Sequence, residues 1–174
     1  MTTALAASLD PMRWWDIAEV VPLESRLFTS DAWTAAQFWS ELARVPETRW
    51  YVVARHEGRV VGYAGLFEAG RQAQVQTVAV APHAQGHGLG RLLVGALIVG
   101  ARERGASVLQ LEVRADNASA RAVYDGLGFV PDGLRRDYYG RGQDAVLMSL
   151  PLRAATGSHV AMTGSARVPG GPDA

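Results

Sequence analysis

The chain has 174 residues, 48% of them hydrophobic, enough for one domain with a sizeable core. Lys plus Arg and Asp plus Glu each number 17, so the formal charge is zero and no basic field marks a nucleic-acid binder. The absence of cysteine excludes disulfides, thiolate metal sites and a cysteine nucleophile, and fits a reducing compartment.

In chain order, residues 1–8 are small and polar, a loose lead-in with no basic n-region before an apolar stretch, so no signal peptide is expected. Residues 9–13 are a candidate strand. Helical spacing then runs over 15–28 through Ile17, Val20, Val21 and Leu27, despite Pro22. Residues 29–31 break it, and 33–43, with Phe38, Trp39 and Leu42, form a second helix. Strands at 50–56 and 59–67 flank the turn Glu57-Gly58 as a hairpin, and a further strand spans 72–80.

A glycine-rich turn follows, then a helix over about 88–104, which Gly105 can stop. A buried-looking strand at 108–113 precedes a helix over 117–127, capped by Asn117 and ended by Gly128. Two last strands fall at 129–137 and 144–150. The order β-α-α-β-β-β-α-β-α-β-β mixes hairpins with crossover helices, so an α/β fold is expected, its sheet mixed and its helices on both faces. The domain is expected over 9–152. From 153 the chain is rich in Ala, Gly, Ser, Thr and Pro and is expected to be disordered. No apolar stretch is long enough for a bilayer, so a soluble cytoplasmic protein is the default.

The most informative segment is Gln85-Gly-His-Gly-Leu-Gly-Arg91, between a strand and a helix. Glycines permit close approach of the backbone to a ligand, and the first amides of a helix lack internal partners. With the positive end of the helix dipole, they suit a phosphate or pyrophosphate. No lysine or hydroxyl follows Gly90, which rejects a Walker A loop. Leucine at 93, where the third glycine would stand, rejects a dinucleotide-binding loop. The remaining spacing, Gln85-x-x-Gly88-x-Gly90-Arg91, resembles the Q-x-x-G-x-G/A loop of the GNAT family of N-acetyltransferases. An ordinary glycine-rich turn is the alternative on the loop alone.

The element order carries the same resemblance across most of the chain. Residues 111–124, with Asn117 and Tyr124, the Leu127-Gly-Phe129 segment, and Arg135-Arg-Asp-Tyr-Tyr139 with Asp144-Ala145 resemble, within that family, the bacterial ribosomal-protein alanine N-acetyltransferases. The resemblance implies acetyl-coenzyme A as cosubstrate, without a metal. The loop residues Gly86, His87, Gly88, Leu89, Gly90 and Arg91 would hold its pyrophosphate, and the backbone of Val78, Ala79 and Val80 its pantetheine amides. Asn117, which as a helix cap already has a structural reason, would also touch the coenzyme. His87 would contribute an amide rather than catalysis. Many family members carry arginine where Gly86 stands, so a phosphate contact is lacking unless Arg91 supplies it.

Acetyl transfer to an amine requires a neutral nucleophile, a held oxyanion and a proton for the leaving thiolate. Glu112 alternates with Leu111 and Val113 on its strand and faces away from them. The resemblance makes it the general base, acting through water; pairing with Arg114 or a neighbour as a structural charge is the alternative. Tyr124 is implied as the general acid, against a plain core tyrosine. Trp33, at the junction of the first two helices, and Tyr138 border the implied acceptor groove, or pack under the sheet. The implied acceptor is a protein N-terminus, that of a small-subunit ribosomal protein beginning with alanine, with no nucleic acid or membrane partner. Two rivals stay open: acetylation of a small amine such as an antibiotic or polyamine, and a non-catalytic acyl-coenzyme A-binding module.

Overall fold

A computed structural model describes residues 5–28 and 31–152. The tail expected to be disordered, from 153 onward, lies outside the described residues, as do 1–4 of the lead-in and two residues of the break after the first helix.

Strand β1 (Ser8–Pro11) leads through a short 3-10 turn into α1 (Ile17–Leu27), which continues through Pro22, and then α2 (Ala35–Leu42). The hairpin β2 (Arg49–His56) and β3 (Arg59–Ala69) is followed by β4 (Gln72–Val80), α3 (Leu89–Glu103), β5 (Val108–Arg114), α4 (Ala118–Asp125), β6 (Val130–Arg135) and β7 (Ala145–Pro151). The expected element order is therefore the observed one. Helix α2 starts at Ala35, two residues later than expected. A reciprocal pair of bonds fixes that start: the Thr34 hydroxyl accepts from the Gln37 amide, and the Gln37 side chain accepts from the Thr34 amide. Trp33 is thereby left in the connection rather than on the helix.

The strands form one sheet in the order β1-β2-β3-β4-β5-β7-β6. All neighbours are antiparallel except β4 and β5, which are parallel. Consecutive residues of β3 show how helices cover both faces, because successive side chains of a strand point oppositely. A Cβ at Gly62 would lie 3.1 Å from Leu93 of α3. The next residue, Tyr63, packs edge-on against Phe38 of α2 with ring centroids 5.8 Å apart. Gly100, inside α3, has a packing reason: a Cβ there would stand 2.6 Å from the Trp50 ring. The core includes Tyr51, Tyr63, Phe38, Leu66, Leu93, Leu97, Leu109 and Met148, all fully buried.

The parallel pair positions the site. Register contacts between β4 and β5 run only from Gln72↔Val108 to Gln74↔Gln110, after which the strands part. On the other side of β4, the pairing steps from Val75↔Leu66 to Thr77↔Gly65 and leaves Gln76 as an extra residue, a bulge. A bulge bends its strand and increases local twist, and this one lies where β4 leaves β5. The sheet therefore opens into a wedge floored by 75–78 of β4 and 111–114 of β5.

Candidate active site

Two adjoining cavities occupy the wedge. The first, of about 500 Å³, lies between 75–78 of β4, 111–114 of β5, the end of α1 and the connection to α2. The second, of about 450 Å³, lies between the glycine loop, the start of α3 and one face of α4. Four residues line both: Val78, Asn117, Ala120 and Tyr124.

The glycine loop forms as its sequence demands. Gly86 and Gly88 have φ of 77° and 83°, the left-handed region that glycine enters without a Cβ penalty. Gly88 is the N-cap of α3, and the first helical bond runs from the Leu92 amide to its carbonyl, at 3.0 Å. Among the described residues, no backbone carbonyl accepts from the amides of 86–91. Gln85 ties the loop to the sheet, its side-chain amide donating to the Val80 carbonyl at 3.1 Å. Gly90 has no positive φ, and a Cβ there would meet nothing within 4 Å. Gly86, Gly88, Leu89, Gly90 and Arg91 line the second cavity; His87 does not, its ring turning back to within 2.7 Å of the Gln85 carbonyl oxygen. Arg91 donates to the Gly126 carbonyl at 2.9 Å, at the end of α4.

On β4, Val78 and Val80 face the second cavity, while Ala79 between them is buried on the opposite side and lines neither cavity. Only the Ala79 backbone is left to meet a ligand there. Asn117 caps α4 by accepting from the Ala120 amide at 3.0 Å. Tyr124 follows by two helical turns and shares its face, so both reach the junction of the cavities. Tyr124 is nearly buried, edge-on to Phe129 at 5.7 Å. Burial, with the neighbouring Tyr139, pushes its phenol up to about 12.

Glu112 lines the first cavity. Its partner is not Arg114, as the sequence left open, but Arg135 from the end of β6, with Nη1 2.8 Å from Oε1. Arg114 instead pairs with Asp116 at 3.2 Å and donates to Gln143. β7 inserts between β5 and β6, and that brings the end of β6 to Glu112. The nearby Glu112 carboxylate holds the Tyr138 phenol above its ordinary value. Of the aromatic pair, Tyr138 is largely exposed while its neighbour Tyr139 lines the cavity, the two rings edge-on at 4.9 Å. Trp33 lines the first cavity.

Among the residues of that cavity that sequence reading did not single out are Glu24 and Asp31, and of the aromatic pair it chose Tyr138 where Tyr139 lines the cavity. Glu24 had a readable signal, since it falls on the apolar stripe Ile17-Val20-Leu23-Leu27 where a solvated charge does not belong. It is 3% exposed, and burial raises its carboxyl above the ordinary range, against a lowering contribution from the Trp33 amide. Ser119 and Val123, which line the second cavity, were missed because only the helix as built shows which face they share. Among the described residues, no group of His, Asp and Glu is placed to hold a metal ion.

A strand, a glycine loop and a helix with free amides thus open beside a cleft carrying Glu24, Asp31 and Glu112, with a phenol between. The chain belongs to the acetyltransferase (GNAT) family, whose family model matches residues 13–129. It is 43% identical to N-alpha-acetyltransferase RimI of Mycobacterium tuberculosis over 139 residues, 76% of this chain and 85% of that protein. The crystal structure of the ribosomal-protein-S18-alanine N-acetyltransferase from Escherichia coli superposes with a TM-score of 0.77 at 30% identity, covering 88% of this chain and 98% of that one. The ribosomal-protein-alanine N-acetyltransferase from Brucella melitensis gives a TM-score of 0.75 at 26% identity, covering 83% and 99%.

Proposed function

We propose that this chain transfers acetyl from acetyl-coenzyme A to the N-terminal α-amine of a protein, a small-subunit ribosomal protein beginning with alanine. The observation that carries the reading is the meeting of two unlike cavities at Tyr124. One offers free amides and a helix N-terminus, which suit a pyrophosphate. The other carries Asp31 and Glu112 near Arg114, carboxylates that suit a protonated amine. The names of the relatives support the choice of a protein acceptor. No helix among the described residues is long and apolar enough to cross a membrane, and donor and acceptor would meet in the cytoplasm.

In this reading the amides of 86–91 hold the pyrophosphate, Arg91 standing in for the side chain that Gly86 lacks. The pantetheine arm lies along the backbone of Val78, Ala79 and Val80, beside Asn117, and brings the thioester to the junction. The acceptor amine enters from the first cavity, past Trp33 and Tyr138. Glu112 takes its proton through water, so that the nitrogen lone pair can attack the acetyl carbon. A backbone N–H near the Gln76 bulge holds the oxyanion. As the C–N bond forms and the C–S bond breaks, Tyr124 gives its proton to the departing sulfur, the acylated nitrogen releases its second proton to solvent, and Tyr124 is reprotonated from there. A phenol at or above its ordinary value still holds that proton at neutral pH when the sulfur departs.

The test is turnover of the full chain with acetyl-coenzyme A against peptides of varied first residue and a panel of small primary amines. Alanine-starting peptides should be acetylated at the α-amine, with lysine side chains untouched. Turnover of small amines alone would overturn the protein acceptor, and coenzyme binding without turnover of anything would overturn the enzyme.

A further inference from the structure

Glu24 is a fully buried carboxylate that the chemistry above does not use. Its two oxygens are both engaged: Oε1 accepts from the Trp33 amide at 2.9 Å, and Oε2 accepts from the Tyr63 hydroxyl. The rings of the same residues close a circuit. Trp33 packs on Phe38 at 5.4 Å, and Phe38 packs edge-on against Tyr63 at 5.8 Å. Glu24 lies on α1, Trp33 on the connection, Phe38 on α2 and Tyr63 on β3. Four parts of the fold are therefore joined in one closed loop of contacts. Phe38 and Tyr63 are wholly buried.

Two members of the circuit, Glu24 and Trp33, line the first cavity. Phe28, Asp31 and Trp33, which form one wall of that cavity, belong to the connection that the circuit pins. A connection of this length gains order only from what its ends and backbone are bonded to. The Trp33 amide bond to Glu24 ties its backbone to a buried anchor. A buried carboxylate is expensive unless its oxygens are satisfied, so breaking either bond releases the anchor as well as the tie.

We propose that Glu24 is a positioning residue for the acceptor: held by Tyr63, it fixes the Trp33 backbone and so sets the wall against which the acceptor peptide binds. The proposal rests on the acetyltransferase reading for its substrate, but not for its first test. It assigns Glu24 no proton transfer and no contact with coenzyme.

The first test needs no substrate. In native-state hydrogen exchange of the full chain, the Trp33 amide should be protected, and its exchange should speed by about tenfold or more in Glu24→Ala and in Tyr63→Phe. The second test is kinetic. With an alanine-starting peptide, Glu24→Ala should raise the peptide KM by about tenfold, change kcat by less than about threefold and leave acetyl-coenzyme A affinity unchanged, the pattern of lost uniform binding. Glu24→Gln should restore most of the peptide KM. Its carbonyl oxygen can accept from Trp33, and its amide can donate to the Tyr63 oxygen.

A residue that merely packs would lower the melting temperature without separating peptide KM from kcat. Unchanged Trp33 exchange in a folded Glu24→Ala variant would overturn the proposal. So would a Glu24→Gln variant as impaired as Glu24→Ala, which would assign the role to the negative charge itself. Should Glu24→Ala not fold, Tyr63→Phe carries both tests, since it removes only a hydroxyl and keeps the ring on Phe38. If the wild-type chain turns over no peptide, the acceptor reading fails while hydrogen exchange still decides the circuit.

Discussion

Glu112 and Tyr124 carry different expectations because their surroundings differ. Glu112 is held by Arg135, so two roles are in competition: a base for the incoming amine, or one half of an ion pair. Two substitutions separate them. Glu112→Gln should cost on the order of 10²–10⁴-fold in turnover at neutral pH with coenzyme binding nearly intact. Arg135→Met breaks the same pair but keeps the carboxylate, and should cost far less. Equal losses in both variants would make the pair, not the base, the function of Glu112. Tyr124→Phe should lower kcat with little change in coenzyme affinity, and less so for a thioester whose thiol is more acidic. Its phenol is also a probe of stability. Burial raises it from 10.0 to about 12, so the folded state favours the neutral form. That contribution is complete below the unfolded value and is lost as pH rises from about 10 to about 12, on the order of 2–3 kcal/mol. Denaturant titrations across that range should show wild type losing stability relative to Tyr124→Phe.

At the scale of the element, the glycine loop separates what the backbone needs from what a ligand needs. Gly86 and Gly88 must be glycine because of their φ values. Gly90 has an ordinary helical backbone with open space where a Cβ would be, so nothing in the protein itself requires glycine there. Gly90→Val should therefore fold with near wild-type stability, since glycine is a poor helix former. Calorimetry should find acetyl-coenzyme A affinity reduced by about tenfold or more, because the new side chain stands in the path of the pyrophosphate. Unchanged affinity in the folded variant would remove the loop from the binding site. Helix α4 makes the complementary point. Its eight residues carry a cap at one end and Tyr124 near the other, so the Asn117 side chain orients the helix whose far end delivers the phenol.

At the scale of the whole molecule, the wedge between β4 and β5 turns two cavities into one passage. If donor and acceptor enter it from opposite ends, a single molecule spanning both should gain by effective concentration. A peptide joined through its N-terminus and an acetyl bridge to coenzyme A should bind about 10²-fold or more tightly than coenzyme A itself in competition calorimetry. No gain would mean that the cavities are not occupied together. The wedge depends on long-range features: three register pairs between β4 and β5, the Gln76 bulge, and the insertion of β7 beside β5.

Local signals in the chain were enough to specify the elements and one half of the site. Hydrophobic periodicity, glycine stops and the Asn117 cap act over a few residues, so the order of strands and helices could be read directly. The glycine loop could be read for the same reason, because its amides, turn and helix start are contiguous. Only tertiary structure decided the other half. Glu112 found Arg135 rather than Arg114 because β6 and β7 exchange places in the sheet, a pairing between residues far apart in sequence. Tyr139 rather than Tyr138 lines the cavity because adjacent side chains leave the backbone in different directions, and the packing of the hairpin chose between them. Glu24 entered the site because burial gave it two partners, one nine residues on and one on β3, that no local pattern encodes. Capping and periodicity are short-range, whereas pairing across a sheet and satisfaction of a buried charge depend on which distant segments the fold brings into contact.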